Sequence, residues 1–265
     1  MSRSLRLRLV AGTTLFVLSL SLSPGRGWAA AEEDSQGWSG EVNLNVANLT
    51  GTNDTFAGSV IAKLAREWEK DKLSATAQGY YGFTRDRRDN PSDENTTQNA
   101  QNLEIGWNHT LSGRFFWDTL TWAGRDAIQD INFQYRLASG PGYRFWEGAE
   151  KGKEHLDLST RVGYRFLTFR DSTGEDTRQL VDLIAGFEYK NLFLEERLEF
   201  THTGEVLLPA NDIDSWVGKT GITLSVPITA AWSMRLGFEV EYQARTPERV
   251  TNLTTRTNGG LVYEF

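Results

Sequence analysis

Cysteine is absent from this 265-residue sequence, histidine is reduced to three residues, positive charge is outweighed, and no long apolar run follows the first two dozen residues. Without cysteine there is no disulfide framework of the kind that staples small secreted domains. Without a second apolar run, nothing approaches the roughly 20 residues that a spanning helix needs. The 28 Lys and Arg against 35 Asp and Glu leave a formal net charge of −7. A chain without a basic stripe is not built to hold phosphate backbones, so nucleic acid is not an expected partner.

What the chain does contain is aromatic: 12% of it, with nine Trp and 14 Phe. Its dominant pattern from Trp38 onward is strict alternation of apolar and polar residues, the period of a half-buried strand. At the N-terminus, Arg3, Arg6 and Arg8 precede an apolar run from Leu9 to about Leu22, then Pro24, Gly25 and the small residues Ala29, Ala30 and Ala31. That order predicts a signal peptide over 1–31, cleaved after Ala31 or Ala29, with one domain over 32–265. The last residues, Leu261-Val262-Tyr263-Glu264-Phe265, alternate and stop on an aromatic, the ending of a bacterial outer-membrane strand that closes a barrel and is read by the assembly machinery. The negative mean hydropathy does not oppose a membrane barrel, because lumen-facing residues average it out.

Twelve strands are expected. Trp38, Gly40, Val42, Leu44 and Val46 share one face of the first, opposite Glu41, Asn43 and Asn45; Trp232, Met234, Leu236, Phe238, Val240 and Tyr242 mark the eleventh; the twelfth ends at Phe265. The fifth, from about Phe115 to Trp122, has no readable parity. The sixth carries Ile131, Phe133, Tyr135 and Leu137 on its apolar face. Short connections (69–72, 111–114, 190–191, 227–230) alternate with long polar ones (85–97, 170–178, 204–214), as periplasmic turns and extracellular loops do. Aromatics collect at both levels: Trp68, Trp107, Phe115, Tyr189 and Trp232 beside the turns, and Phe83, Trp122, Phe166, Phe200, Trp216 and Tyr242 beside the loops. A soluble β-sandwich, the competing fold, has shorter strands and no such belts. Two features strain the scheme. Glu196 falls on the lipid face of the ninth strand unless a bulge turns it inward. Gly140-Pro141-Gly142 interrupts the sixth and is expected to kink or bulge it near the periplasmic end.

Trp38-Ser39-Gly40, the Thr50-Gly51-Thr52-Asn53-Asp54-Thr55 turn and the block from Gly124 to Tyr143 (GRDAIQDINFQYRLASGPGY) resemble the salt-induced outer-membrane protein family, domain-of-unknown-function family 481. The resemblance implies an outer-membrane barrel induced by salt, with no established substrate.

Candidate chemistry is sparse. His109, His155 and His202 lack a G-x-S-x-G nucleophile motif, and His202, placed near the extracellular end of the ninth strand with Asp212 and Asp214 beyond it, is the one candidate for a rim hydrolase. Arg87 and Arg88, in the dense charge run 85–95, suit lipopolysaccharide phosphates. No metal site and no cofactor are expected. The pore-lining candidates are Lys63, Glu67, Glu104, Arg136, Arg161, Arg165, Asp182, Glu195, Arg197, Glu199, Lys219, Arg235, Glu239, Glu241 and Arg256, with Glu188 beside them; Tyr263 and Phe265 form the assembly signal. Mixed charge of this kind either pairs across the lumen and closes it or leaves a narrow polar path for small solutes, and twelve strands fall between filled barrels and wide porins. Membrane lipid, lipopolysaccharide and the barrel assembly machinery are the expected partners.

Overall fold

The computed structural model describes residues 37–49, 53–86, 94–148, 153–169, 177–195, 197–246 and 252–265. The expected leader, the Arg87 and Arg88 loop and Glu196 lie outside these residues. The described chain forms twelve strands: β1 Trp38–Leu49, β2 Asn53–Trp68, β3 Asp71–Asp86, β4 Glu94–Ser112, β5 Phe115–Asp126, β6 Ile131–Glu147, β7 His155–Phe169, β8 Thr177–Phe193, β9 Leu198–Pro209, β10 Val217–Pro227, β11 Trp232–Gln243 and β12 Leu253–Glu264. Each pairs antiparallel with its sequence neighbours, and β12 returns to β1 to close the barrel. Closure removes the unpaired edges that a sheet cannot leave in an apolar medium.

The period-two pattern now has a spatial meaning. Leu44, Val60, Leu103, Ile105, Leu183 and Leu236 stand exposed on the outer face, and Val46 and Val162 are 73% and 63% exposed. A continuous apolar skin of this size is stable only against lipid. Two aromatic belts bound it. At the end carrying residues 38 and 265, called the terminal end below, the pairs are Trp107 with His109, Phe115 with Tyr143, Trp146 with Tyr189, Phe193 with Phe200, and Trp232 with Tyr263. Arg66 lies between Trp38 and Trp68, 5.8 Å from each ring. At the opposite, loop end are Phe56 with Phe83 and Trp216 with Tyr242.

Four expectations change. Phe200 is the third residue of β9 and belongs to the terminal belt, not the loop belt. Trp122 points inward. Ile131 also turns inward and is 6% exposed, because β6 shifts register between Ile131 and Phe133. The Gly140-Pro141-Gly142 segment neither bulges nor changes register. Its pairing with β5 is unbroken, while the ladder to β7 skips Gly140 and Pro141 and resumes in the same register at Gly142. The reason for glycine lies across the strand: a Cβ on Gly142 would overlap the ring of Phe116, its ladder partner, which fills the space the glycine leaves.

The turn after β8 also moves. Lys190 and Asn191 are still in the strand, and the reversal falls at Leu194 and Glu195, both in the left-handed region at φ 55° and 57°. Neither residue suits that conformation, which costs an L-residue of this kind roughly 1–2 kcal/mol. Replacing Leu194-Glu195 with Asn-Gly, the natural pair for two left-handed positions, therefore stabilises the barrel by about 1–2 kcal/mol. The midpoint of urea unfolding in phospholipid micelles reads this directly, and an unmoved midpoint would show that the turn stores no strain.

Candidate functional site

Alternation on the strands sends one row of each toward the barrel axis, and that row carries the chain's charges. Glu67, Glu104, Arg136, Arg161, Lys219, Glu239, Glu241 and Arg256 line the main lumen cavity. Lys63, Arg165, Asp182, Glu199 and Arg235 lie on the same inner face but are held against the wall by partners. Lys63 reaches Glu41 at 2.7 Å and Glu199 takes Lys190 at 2.9 Å. Arg235 of β11 spans β12 to donate to both carboxylate oxygens of Glu41 at 2.5 and 2.9 Å. Glu195 and Arg197 are not lumen residues. Both sit exposed in the turn between β8 and β9, because β8 runs further than its Asn191 suggests.

The inner face also holds carboxylates that the sequence reading left out, and they organise the lumen. Glu205, expected in a loop, is in β9 and receives Arg136 from β6 at 2.7 Å and Arg161 from β7 at 3.1 Å. Arg161 simultaneously reaches Asp118 of β5 at 3.2 Å. Arg161 can cross β8 because Gly186, the ladder partner of Glu205, has no side chain; a Cβ there would come within 3.3 Å of the guanidinium. The result is a chain of charges, Asp118, Arg161, Glu205 and Arg136, strung across the lumen from β5 to β9. Near the terminal end Arg144 binds Asp157 with two hydrogen bonds at 2.8 and 3.0 Å and Glu147 at 3.0 Å. Near the loop end Arg256 approaches Asp126 on the far wall at 3.5 Å, and Gln243 donates to Gln129 of the β5–β6 connection at 2.9 Å.

One side of the lumen is filled. Ala138, Ile184, Leu207 and Val217 form one buried cluster and Ile131, Leu167 and Leu180 a second, with the Arg165–Asp182 pair between the strands that bear them. The other side stays open. A cavity of about 870 Å3 runs from Glu69, Lys70 and Gly113 at the terminal-end turns to Asp126 and Gln129 at the loop end. Its wall is polar and charged, and is interrupted by Phe116, Leu120 and Trp122 of β5. This gives the parity of that strand: Phe116, Asp118, Leu120 and Trp122 face in and Trp117 faces out, while Phe115, at the cavity mouth, packs against Tyr143 in the aromatic belt.

The three histidines do not assemble a hydrolytic site. His202 is the fifth residue of β9, toward the terminal end, on the outer face between the Phe187 and Phe200 rings, with Thr220 Oγ1 at 3.1 Å. Asp212 lies in the turn beyond the loop end of that strand, whose span from His202 to Pro209 is roughly 23 Å at 3.3 Å per residue, and holds Ser215 and Arg245. The expectation that His202 sits at the extracellular rim is thus corrected. His109 contacts Asp71 at 2.8 Å in the terminal belt, and His155 contacts Glu188 at 3.0 Å inside the lumen. Among the described residues no group of three or more His, Asp or Glu is placed to hold a metal ion.

The family model described as "Protein of unknown function, DUF481" matches residues 42–265. No curated protein matches the sequence. Among solved structures, the translocator domain of the autotransporter NalP from Neisseria meningitidis is similar over 86% of this chain and 88% of that one, at 11% identity and a TM-score of 0.51. An outer-membrane channel from Pseudomonas putida F1 matches over 89% and 100%, at 12% identity and a TM-score of 0.49. The likeness is one of fold: the closed, lipid-facing antiparallel barrel of bacterial outer-membrane proteins.

Proposed function

The chain belongs to the DUF481 family, and from that premise we propose that it is a narrow, non-enzymatic channel of the bacterial outer membrane that passes small polar solutes. The observation that carries this reading is the open half of the lumen, a cavity whose lining reaches from the turns of one end to the connection at the other. Its charged wall favours water and hydrophilic solutes over lipid. The cross-lumen pairs of Arg161 keep it narrow and fix its shape, so selection is by size and charge.

Residues 1–31 act as the export signal, and residue 265 ends the strand that the barrel assembly machinery reads. The terminal end then faces the periplasm and the loop end the outside, in contact with lipid and lipopolysaccharide. Salt induction, which the sequence resemblance implies, would fit a role in the envelope under osmotic stress, where a narrow path limits exchange. A purely structural envelope barrel is the second reading, favoured by the apolar clusters and ion pairs that fill the other half of the lumen. The rim hydrolase is not favoured, since His202 has no acidic partner within hydrogen-bonding range among the described residues.

Proteoliposomes separate the two. Vesicles bearing the folded barrel swell in isotonic glycine or arabinose and hold their volume in a large oligosaccharide. Vesicles that hold their volume in every solute would leave only the structural reading.

A further inference from the structure

Trp122 is placed as no other tryptophan of the described barrel is. It stands inside, on β5, with Glu104 of β4 and Arg136 of β6 as its ladder partners on either side. Two residues further along the strand is Gly124, where a Cβ would meet the Cη2 atom of Trp122 at 2.9 Å. The indole therefore leans toward the bare backbone of Gly124 on the cavity wall. The outward Trp107 and Trp117 donate their indole N–H groups to Asp71 and Ser139. That of Trp122 has no partner among the described residues. Among the same residues Glu104 forms no ion pair within 4 Å, whereas Arg136 beside it is committed to Glu205. Gln78, Asn102 and Gln134 line the cavity around them.

A flat aromatic face flanked by planar amides, a carboxylate and a guanidinium is the chemistry that recognises a pyranose ring. The electron-rich face of an indole attracts the slightly positive C–H groups on one side of a sugar. Paired oxygens and N–H groups of Asn, Gln, Glu and Arg match vicinal hydroxyls, and a few such polar groups in a concave site fix orientation. A cavity of about 870 Å3 has room for two or three sugar rings. Charge narrows the class further. Around Trp122, Arg136, Arg161, Lys219 and Arg256 are each met by carboxylates, while Glu104 and Glu239 form no ion pair within 4 Å among the described residues. The cavity cations without a carboxylate partner among those residues, Lys70, Lys72, Arg114 and Arg125, lie toward its two ends, so acidic sugars and phosphorylated solutes are disfavoured beside the indole.

We propose that the lumen contains a neutral-saccharide subsite in which Trp122 stacks beneath a pyranose and Glu104 accepts hydrogen bonds from its hydroxyls. The proposal rests on the reading of the lumen as a solute path, and the experiment keeps the two apart. The folded full-length barrel is titrated with maltotriose, with chitotriose and with the acidic trigalacturonate by calorimetry in micelles, and the same sugars are added to planar bilayers. Maltotriose or chitotriose gives saturable heat and blocks the ion current, and trigalacturonate does neither. Trp122→Leu weakens the binding at least tenfold, Trp122→Phe only a few-fold, and Glu104→Gln several-fold, with each variant's fold checked by heat-modifiable migration. Equal affinity in wild type and Trp122→Leu, or no saturable binding of either neutral trisaccharide, overturns the subsite. A barrel that conducts but ignores both sugars keeps the channel and loses the subsite. One that binds a neutral sugar through Trp122 yet passes no ions does the reverse.

Discussion

Deleting Phe265 lowers the ratio of closed to unclosed barrel about tenfold, since the two backbone hydrogen bonds it makes contribute roughly 1–3 kcal/mol together and 1.4 kcal/mol is a factor of ten. Phe265 exchanges both of those bonds with Gly40, donating to its carbonyl at 3.0 Å and accepting from its N–H at 2.9 Å. They extend a short seam. β1 and β12 share four ladder pairs, from Glu41 with Glu264 to Leu44 with Leu261, whereas β2 and β3 share sixteen. Removing one pair from so short a ladder leaves the Gly40 N–H and carbonyl without their strand partner at the level of the aromatic belt. The ring has its own seat: a Cβ on Gly40 would come within 2.5 Å of it, so Gly40→Leu displaces the ring but keeps the two backbone bonds, and it lowers the closed fraction less than the deletion does. Inside the barrel Glu41 draws Lys63 of β2 and Arg235 of β11 together across the same seam, which is why closure is weakened and not abolished. Heat-modifiable migration of membrane-extracted protein measures the closed fraction. A normal closed fraction in the deletion variant would show that the seam does not depend on its last residue.

Asp182→Ala destabilises the barrel by about 3–5 kcal/mol, the usual cost of stranding one member of a buried ion pair. Asp182 is fully buried, and Arg165 donates to its two oxygens from Nε and Nη2 at 2.9 Å each. The alanine leaves a guanidinium walled in beside the Ile131, Leu167 and Leu180 cluster with nothing to balance it. Replacing both partners with apolar residues of similar volume, Arg165→Met with Asp182→Leu, removes the stranded charge and returns the stability to near the wild-type value or above it. Urea unfolding in phospholipid micelles reads both variants. If the single alanine costs no more than an exposed surface substitution, the pair is solvated and this side of the lumen is open, not filled.

The sequence states the outer face of this barrel more clearly than its interior. Lipid imposes one demand on every outward position, so the apolar residues there recur with period two, as Val46, Ile105, Val162 and Leu236 illustrate. The interior obeys several demands at once. Leu180, Ile184 and Leu207 are apolar and inward because one side of the lumen is packed, and an apolar residue on both faces of a strand erases the alternation. Phe115, Phe116 and Trp117 do the same to β5, which hid Asp118 and the inward Trp122. Glu205 was obscured by Gly204 and by the polar residues that follow Pro209, yet it alternates with Thr203 and Leu207 as a strand residue does. The β8–β9 turn is illegible for the opposite reason: Asn191 has turn chemistry but stays in the strand, while Leu194 and Glu195 make the turn without it. Cross-lumen partners such as Arg161 and Asp118 are fixed by barrel closure, which no local pattern records.

The central claim is that the unfilled half of the lumen is a continuous polar path. Planar-bilayer recording of barrels shown beforehand to be folded tests it most directly. The wild-type protein gives small, ohmic single-channel steps, and Arg161→Ala, which removes the bridge from Asp118 to Glu205, gives larger ones. Folded barrels that pass no current, with Arg161→Ala equally silent, would contradict it.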